Sequence, residues 1–241
     1  LLHADIRCVH GGDLYAQARE PWLDDLTLRW RDPPIASADT TVLRGVAEPF
    51  DREGGLRRLQ GNLGRAVVKV SAVKPEHRRI LAPARVFDSQ DALLAAFKAG
   101  SLQGDFVAVI RGQGPRANGM PELHKLTPTL AVMLDRGQHV ALLTDGRMSG
   151  ASGKVLAAIH MVPEAACGGS IARIRDGDMI LIDADLGEVE AQVEHQEWAQ
   201  RVPATLDLAG NRSGTGRELF GLLRANVGSA EEGACSLFID A

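Results

Sequence analysis

Residues 105–144, DFVAVIRGQGPRANGMPELHKLTPTLAVMLDRGQHVALLT, decide the fold. The short apolar run 105–111 is followed by a Gly/Pro-rich loop, then by a helix-like stretch through Gly137 and a second apolar run, HVALLT. This spacing predicts a strand–helix–strand unit. Crossovers of this length join parallel strands in a right-handed sense, so both strands belong to one sheet with the helix on a face. Pro128 falls inside the expected helix and either kinks it or marks a second start.

Each strand of this unit leads into a glycine-rich loop, at the carboxyl ends where open α/β sheets place ligands. The second loop, Thr144 to Lys154 (TDGRMSGASGK), carries Arg147, Ser149, Ser152 and Lys154 among small residues. Glycines let a backbone approach a ligand closely, and hydroxyls and cations suit an anionic, oxygen-rich one. The two serines either bond only to turn backbone or meet a ligand, and the loop's place after a core strand favours the ligand. Two familiar signatures fail on spacing. Six residues, not four, separate Gly146 from Gly153-Lys154, which excludes a P-loop. Gly146-Arg-Met-Ser-Gly150 is not the GxSxG of a hydrolase elbow. Glu122, after Gly119-Met-Pro, either favours a helix start or serves as a metal or substrate ligand at the same sheet edge.

Outward from this centre, RAVVKVSAV (65–73) and ILAPARVF (80–87) read as strands, and Asp88 and Ser89 can cap a helix through Ala99, with Gly100 at its C-terminal stop. Beyond Lys154, VLAAIHM, IARIR (171–175), MILIDAD (179–185) and VEAQVEH (189–195) are short strands with tight turns, which imply an antiparallel or barrel-like sheet. Helices are expected over 196–201 and 217–226. Residues 1–60 read as an extended arm with strands at Leu26–Trp30 and Thr41–Val46, and residues 61–241 as the folded domain. Cys167, before two glycines, reads as a buried thiol, and His124 and His160 as packing residues.

The bulk numbers narrow the function. The 241 residues carry a net charge of −4, so the basic footprint of a nucleic-acid binder is absent. No apolar run is long enough to span a membrane, and the start lacks a signal peptide, which makes the cytoplasm the expected compartment. Three cysteines, Cys8, Cys167 and Cys235, fit reduced thiols. A first residue other than Met suggests a piece of a longer protein.

GNLGRAVVKVSAVKPEHR (61–78), FVAVIRGQGPRANGMPELHKLTP (106–128), TDGRMSGASGKV (144–155), IRDGDMI (174–180) and GRELFGLLRANVGSAEEGAC (216–235) closely resemble the carboxy-terminal part of the dihydroxy-acid and sugar-acid dehydratase family. The resemblance runs over nearly the whole chain and is nearer the phosphogluconate branch. It implies an α/β fold, a swivelling β/β/α domain that closes over an amino-terminal domain carrying an iron–sulfur cluster, expected as 4Fe–4S, in a homodimer. The implied reaction converts 6-phospho-D-gluconate to 2-dehydro-3-deoxy-6-phosphogluconate and water, in Entner–Doudoroff-type sugar-acid breakdown. In the family, the serine matching Ser149 is the proposed base at C2, and the glutamate matching Glu122 helps hold a divalent metal beside the cluster. Arg147 and Lys154 are the cations expected to stabilise the serine alkoxide. Ser152, Arg116 and Lys74 complete the expected substrate-binding set, with Arg116, Lys74, Arg78 and Lys154 unranked as phosphate ligands. The chain alone is expected to be inactive. The rival readings are another dehydratase of the family and a non-catalytic sugar-phosphate-binding module.

Overall fold

The computed structural model describes residues 7–9, 11–34, 36–148 and 153–237. Chain contacts divide it into two units, Leu1–Gly54 and Gly55–Ala241. The first holds a single helical turn, α1 (Leu14–Gln17), and an antiparallel hairpin of β1 (Glu20–Asp24) and β2 (Thr27–Arg31). Asp25 and Leu26 both take positive φ at its tip, the conformation a two-residue hairpin turn needs, and Arg31 pairs with Glu20 across the strands at 2.7 Å. No strand forms at 41–46. Asp39 Oδ1 instead accepts from both the amide and the hydroxyl of Thr41, which folds the chain into turns.

The second unit is a closed eight-stranded barrel. Its strands are β3 (Leu56–Gly61), β4 (Gly64–Lys69), β5 (Arg79–Phe87), β6 (Phe106–Ile110), β7 (Val140–Thr144), β8 (Leu156–Val162), β9 (Met179–Asp183) and β10 (Glu188–Ala191), in the order β10-β3-β4-β8-β7-β6-β5-β9. Strands β5, β6, β7 and β8 are mutually parallel, while β4 runs against β8 and β9 against β5 and β10. The strand–helix–strand unit is therefore as expected, and the tight-turned sheet beyond it closes the barrel. Strand β3 takes up the last residues of the stretch expected as an arm.

Alternation explains the continuous apolar runs. Val107, Val109, Ala141 and Leu143 point into the barrel, where Leu59, Ile180, Ile182 and Val189 meet them. Phe106, Ala108, Ile110 and Leu142 point outward beneath helices α2 (Gln90–Lys98) and α4 (Leu126–Asp135), against Leu93, Leu130 and Met133. Strands buried on both faces have no polar side to show.

Of the two expected caps, Ser89 caps α2 through its hydroxyl, which accepts from the amide of Ala92, and Gly100 at φ 68° follows its end, as expected. Pro128 marks a helix start, the second of the two alternatives. It lies in the first turn of α4, where its missing N–H would lack a partner in any case. Residues 171–175 do not form a strand. Ser170–Arg173 is a 3-10 turn with Ile171 and Ala172 buried, so the apolar pattern there reports a turn packed on the barrel. The carboxy-terminal helix is likewise split into a 3-10 turn, Arg217–Phe220, and a short α-helix, Gly221–Ala225.

This topology fixes where the loops go. The segments after β6, β7 and β8 emerge at one rim, because those strands are parallel. Antiparallel β4 delivers the segment after it, with Lys74, to the opposite rim.

Candidate active site

The site rim is organised by two buried carboxylates. Asp145 follows β7 directly and is fully buried. Its Oδ1 accepts from the amide of Gln113 at 2.8 Å, and its Oδ2 from the amides of Gly112 at 3.1 Å and Ala165 at 2.9 Å. One side chain thus ties together the loops after β6, β7 and β8. Burial raises its pKa to about 6 against the opposing pull of those amides, and the charge of Glu164 adds to the rise.

Glu164 acts in the same way on the next segment. Its two oxygens accept from the amides of Arg116 at 2.8 Å and Ala117 at 3.1 Å, fixing the single turn α3 (Pro115–Asn118). A Cβ on Gly114 would land on the Glu164 carboxylate, so only glycine lets the loop come this close. Gln113 fills the space between, with its amide nitrogen on the carbonyl of Asp88 and its oxygen accepting from Asn118.

On this frame Glu122 and Arg147 meet. They form an isolated parallel bridge between the two glycine-rich loops, and the amide of Leu123 donates to the carbonyl of Arg147. Arg147 Nη1 lies 2.8 Å from Glu122 Oε2, while its Nε donates to the carbonyl of Met120 at 2.8 Å. Arg147 is half exposed and Glu122 a quarter exposed, so one edge of the pair faces solvent. His160, in β8, takes a left-handed φ of 56° and donates its amide to the carbonyl of Gly146. Burial and then the charge of Arg147 lower its imidazole pKa, which keeps the ring neutral near pH 7.

The sequence-predicted residues divide between the rims. Arg116, Glu122 and Arg147 come together on the rim organised by Asp145. Ser149 and Ser152 lie outside the described residues. Met148 accepts from the hydroxyl of Thr127 at the start of α4, and Lys154 lies 3.7 Å from Asp135 at its end. Met148 thus lies at one end of that helix and Lys154 at the other, at the far rim. Lys74, 3.9 Å from Glu76, sits at that rim too. Cys167 is an exposed thiol, not a buried one, 3.8 Å from Glu164. Asp145, Glu164 and His160 were missed as site residues. An aspartate placed directly after a fully apolar strand is the one signal that could have pointed to the first of them.

A thiolate-held iron–sulfur cluster needs several cysteines in one place. Cys8, Cys167 and Cys235 are the only ones in the chain, and among the described residues no group of three or more His, Cys, Asp or Glu is arranged to hold a metal. The one carboxylate expected to reach a metal, Glu122, is engaged by Arg147. These residues do not fit a cluster or a complete metal site by themselves.

Among the described residues, no helix is long and apolar enough to cross a membrane. Comparison with known proteins agrees with the geometry. The family model for the dihydroxy-acid/6-phosphogluconate dehydratase C-terminal domain matches residues 41–234. The phosphogluconate dehydratase of Pseudomonas aeruginosa is 57% identical over 98% of this chain, and that of Escherichia coli 51% over 97%. The chain spans 39% of the length of each of these two relatives. A dihydroxy-acid dehydratase of Moorella thermoacetica is 47% identical over 66% of the chain and 29% of its own length. The chain belongs to the dihydroxy-acid/6-phosphogluconate dehydratase C-terminal family.

Proposed function

We propose that this chain is the substrate-closing part of a phosphogluconate dehydratase, a cytoplasmic hydro-lyase that converts 6-phospho-D-gluconate to 2-dehydro-3-deoxy-6-phosphogluconate and water. The observation that carries the reading is the 57% identity to a phosphogluconate dehydratase along almost the whole chain. The contact between the Glu122 and Arg147 loops supports it, because it joins the two motifs that carry the family resemblance.

The reaction removes the proton at C2 and expels the hydroxyl from C3, leaving an enol that takes up a proton at C3 to give the 2-keto acid. Ser149, two residues beyond Arg147, is the proposed base at C2. A serine hydroxyl is a weak base unless cations stabilise its alkoxide. Arg147, two residues before Ser149 in the sequence and held by Glu122, is the first candidate for that role, and Lys154 enters from the far rim. Glu122 orients the Arg147 guanidinium, and the backbone carbonyl of Met120 fixes it from a second side. A neutral His160 next to Gly146 supports the same loop without adding charge. Departure of the C3 hydroxyl needs an electrophile, and the reading assigns that to a cluster and divalent metal held by another part of the enzyme. It also includes a homodimer, for which the exposed Leu219, Phe220 and Leu222 offer an apolar face.

An assay of the enzyme containing this chain, with 6-phosphogluconate and unphosphorylated sugar acids side by side, tests the reading. Turnover is expected with the phosphorylated acid, and none from the purified 241-residue chain by itself. Preference for a branched dihydroxy acid would move the chain to the branch of the Moorella relative. Binding of 6-phosphogluconate with no turnover by the complete enzyme would leave a binding module.

A further inference from the structure

The site rim holds cavities of different electrical character. One, of about 450 Å³, is lined by Arg65 and Arg116 but also by Glu164, Glu231 and Glu232. Glu231 holds Arg65 through two 2.7 Å bonds, so that cation is already neutralised. Another, of about 410 Å³, has Arg111, Arg173 and Arg175 beside Asp176, and Arg111 is ion-paired with Asp88 at 2.7 Å.

The third, of about 390 Å³, is different. Arg116, Arg212 and Arg224 line it over a floor that includes Ala117, Ala166 and Leu208, and none of the described residues lining it is acidic. Each arginine comes from a separate segment: Arg116 from α3 after β6, Arg212 from the cap of the 3-10 turn Ala209–Asn211, and Arg224 from the helix Gly221–Ala225. Arg224 spends one nitrogen on the carbonyl of Arg217, and Arg217 in turn bonds Asn118 on α3, which locks the carboxy-terminal segment to the rim. Glu218, outside that lining, has its pKa lowered by the amide of Gly214 and in part by the charge of Arg224, and Arg116 also borders the cavity that holds Glu164. Three guanidinium groups in one wall with no carboxylate among its lining residues still attract an anion. A phosphate monoester, a dianion with three acceptor oxygens, matches their planar forks better than a carboxylate does.

We propose that Arg116, Arg212 and Arg224 form the phosphate-ester subsite of the substrate. The inference rests on the phosphogluconate reading above, and it places the phosphate on the same loop, six residues before Glu122, that carries one half of the reacting end. The sequence could not group these residues. Two of them lie in a carboxy-terminal segment whose return to the β6 loop is visible only in three dimensions.

The test uses the complete enzyme containing this chain, with 6-phosphogluconate as substrate and inorganic phosphate as competitive inhibitor. Arg212→Ala and Arg224→Lys are each expected to raise both the KM and the inhibition constant for phosphate by roughly tenfold or more, as lost charge-assisted hydrogen bonds do, with kcat little changed. The Arg212 side chain is exposed, so its removal tests binding without threatening the fold. Arg175→Ala, in the cavity beside Asp176, is expected to change neither constant. Unchanged constants in both first variants, or a matching loss in Arg175→Ala, would overturn the subsite and leave the phosphogluconate reading intact. A wild-type enzyme that acts only on unphosphorylated acids would overturn the reading and the subsite together.

Discussion

The barrel interior and the site rim are equally buried but held by opposite means. Inside, Leu59, Val109, Leu143 and Ile182 pack against one another with no polar atom to satisfy. At the rim, Asp145 and Glu164 are buried to a similar depth and each is satisfied by backbone amides from other segments. Apolar packing is insensitive to direction and to pH. Carboxylate–amide bonds are directional, so they can fix three loops to within the tolerance a site needs, and they can titrate. The barrel supplies stability, and the rim uses part of it to hold polar groups out of water.

The largest effect should come from the interior. Leu143→Ala is expected to lower unfolding free energy by about 3–4 kcal/mol, through lost burial and a cavity that a closed barrel cannot collapse, as read by chemical denaturation. The loss should be the same at pH 7 and pH 5, because the cluster that Leu143 belongs to is apolar. A pH-dependent loss would mean that interior and rim are not separable.

The rim should respond to pH where the interior does not. Asp145 has a native pKa of about 6, above the ordinary 3.8, so between these values the native state holds a proton that the unfolded state has released. Stability from this group is therefore fully present below about pH 4 and is lost as pH rises through 6. The slope between them is about 1.4 kcal/mol per pH unit. Asp145→Asn removes the titration and also turns one donor toward a backbone N–H, at a cost of about 1–3 kcal/mol. The difference in unfolding free energy between wild type and this variant should therefore change with pH between 4 and 6. A constant difference would show that the amides hold Asp145 ionised and that burial does not dominate.

Much of the frame was legible in the sequence, for identifiable reasons. Val107 and Leu143 belong to runs long enough and apolar enough to be doubly covered strands, and their spacing from the helix fixed their parallel direction. Ser89 and Gly100 announced a helix's ends through local chemistry. What failed to read was set by distant partners. Ile171 and Ala172 have the pattern of a strand because they are buried, yet they lie in a turn that rests on the barrel. Asp145 looks like an ordinary turn aspartate until Gly112 and Ala165 arrive from other loops. Lys154 looks adjacent to Arg147 along the chain, but Met148 meets the start of α4 and Lys154 its end.

That last separation carries the smallest predicted effect and the sharpest contrast with the rim. Lys154 and Asp135 lie 3.7 Å apart, with about two thirds of each side chain exposed to solvent. Pairs of this kind are worth about 0–1 kcal/mol, since water screens the attraction and ordering two side chains offsets it. Lys154→Ala should therefore leave unfolding free energy nearly unchanged. In the complete enzyme it should also leave the KM for 6-phosphogluconate unchanged, because the lysine enters at the far end of α4 from Arg147 and Glu122. Measured beside Arg212→Ala, it separates two routes by which a cation could be recruited to the substrate: nearness along the chain and convergence on one rim. A loss in Lys154→Ala as large as that in Arg212→Ala would mean that the glycine-rich loop carries Lys154 to the substrate during the reaction, and the division of the barrel into a working rim and a supporting one would fall.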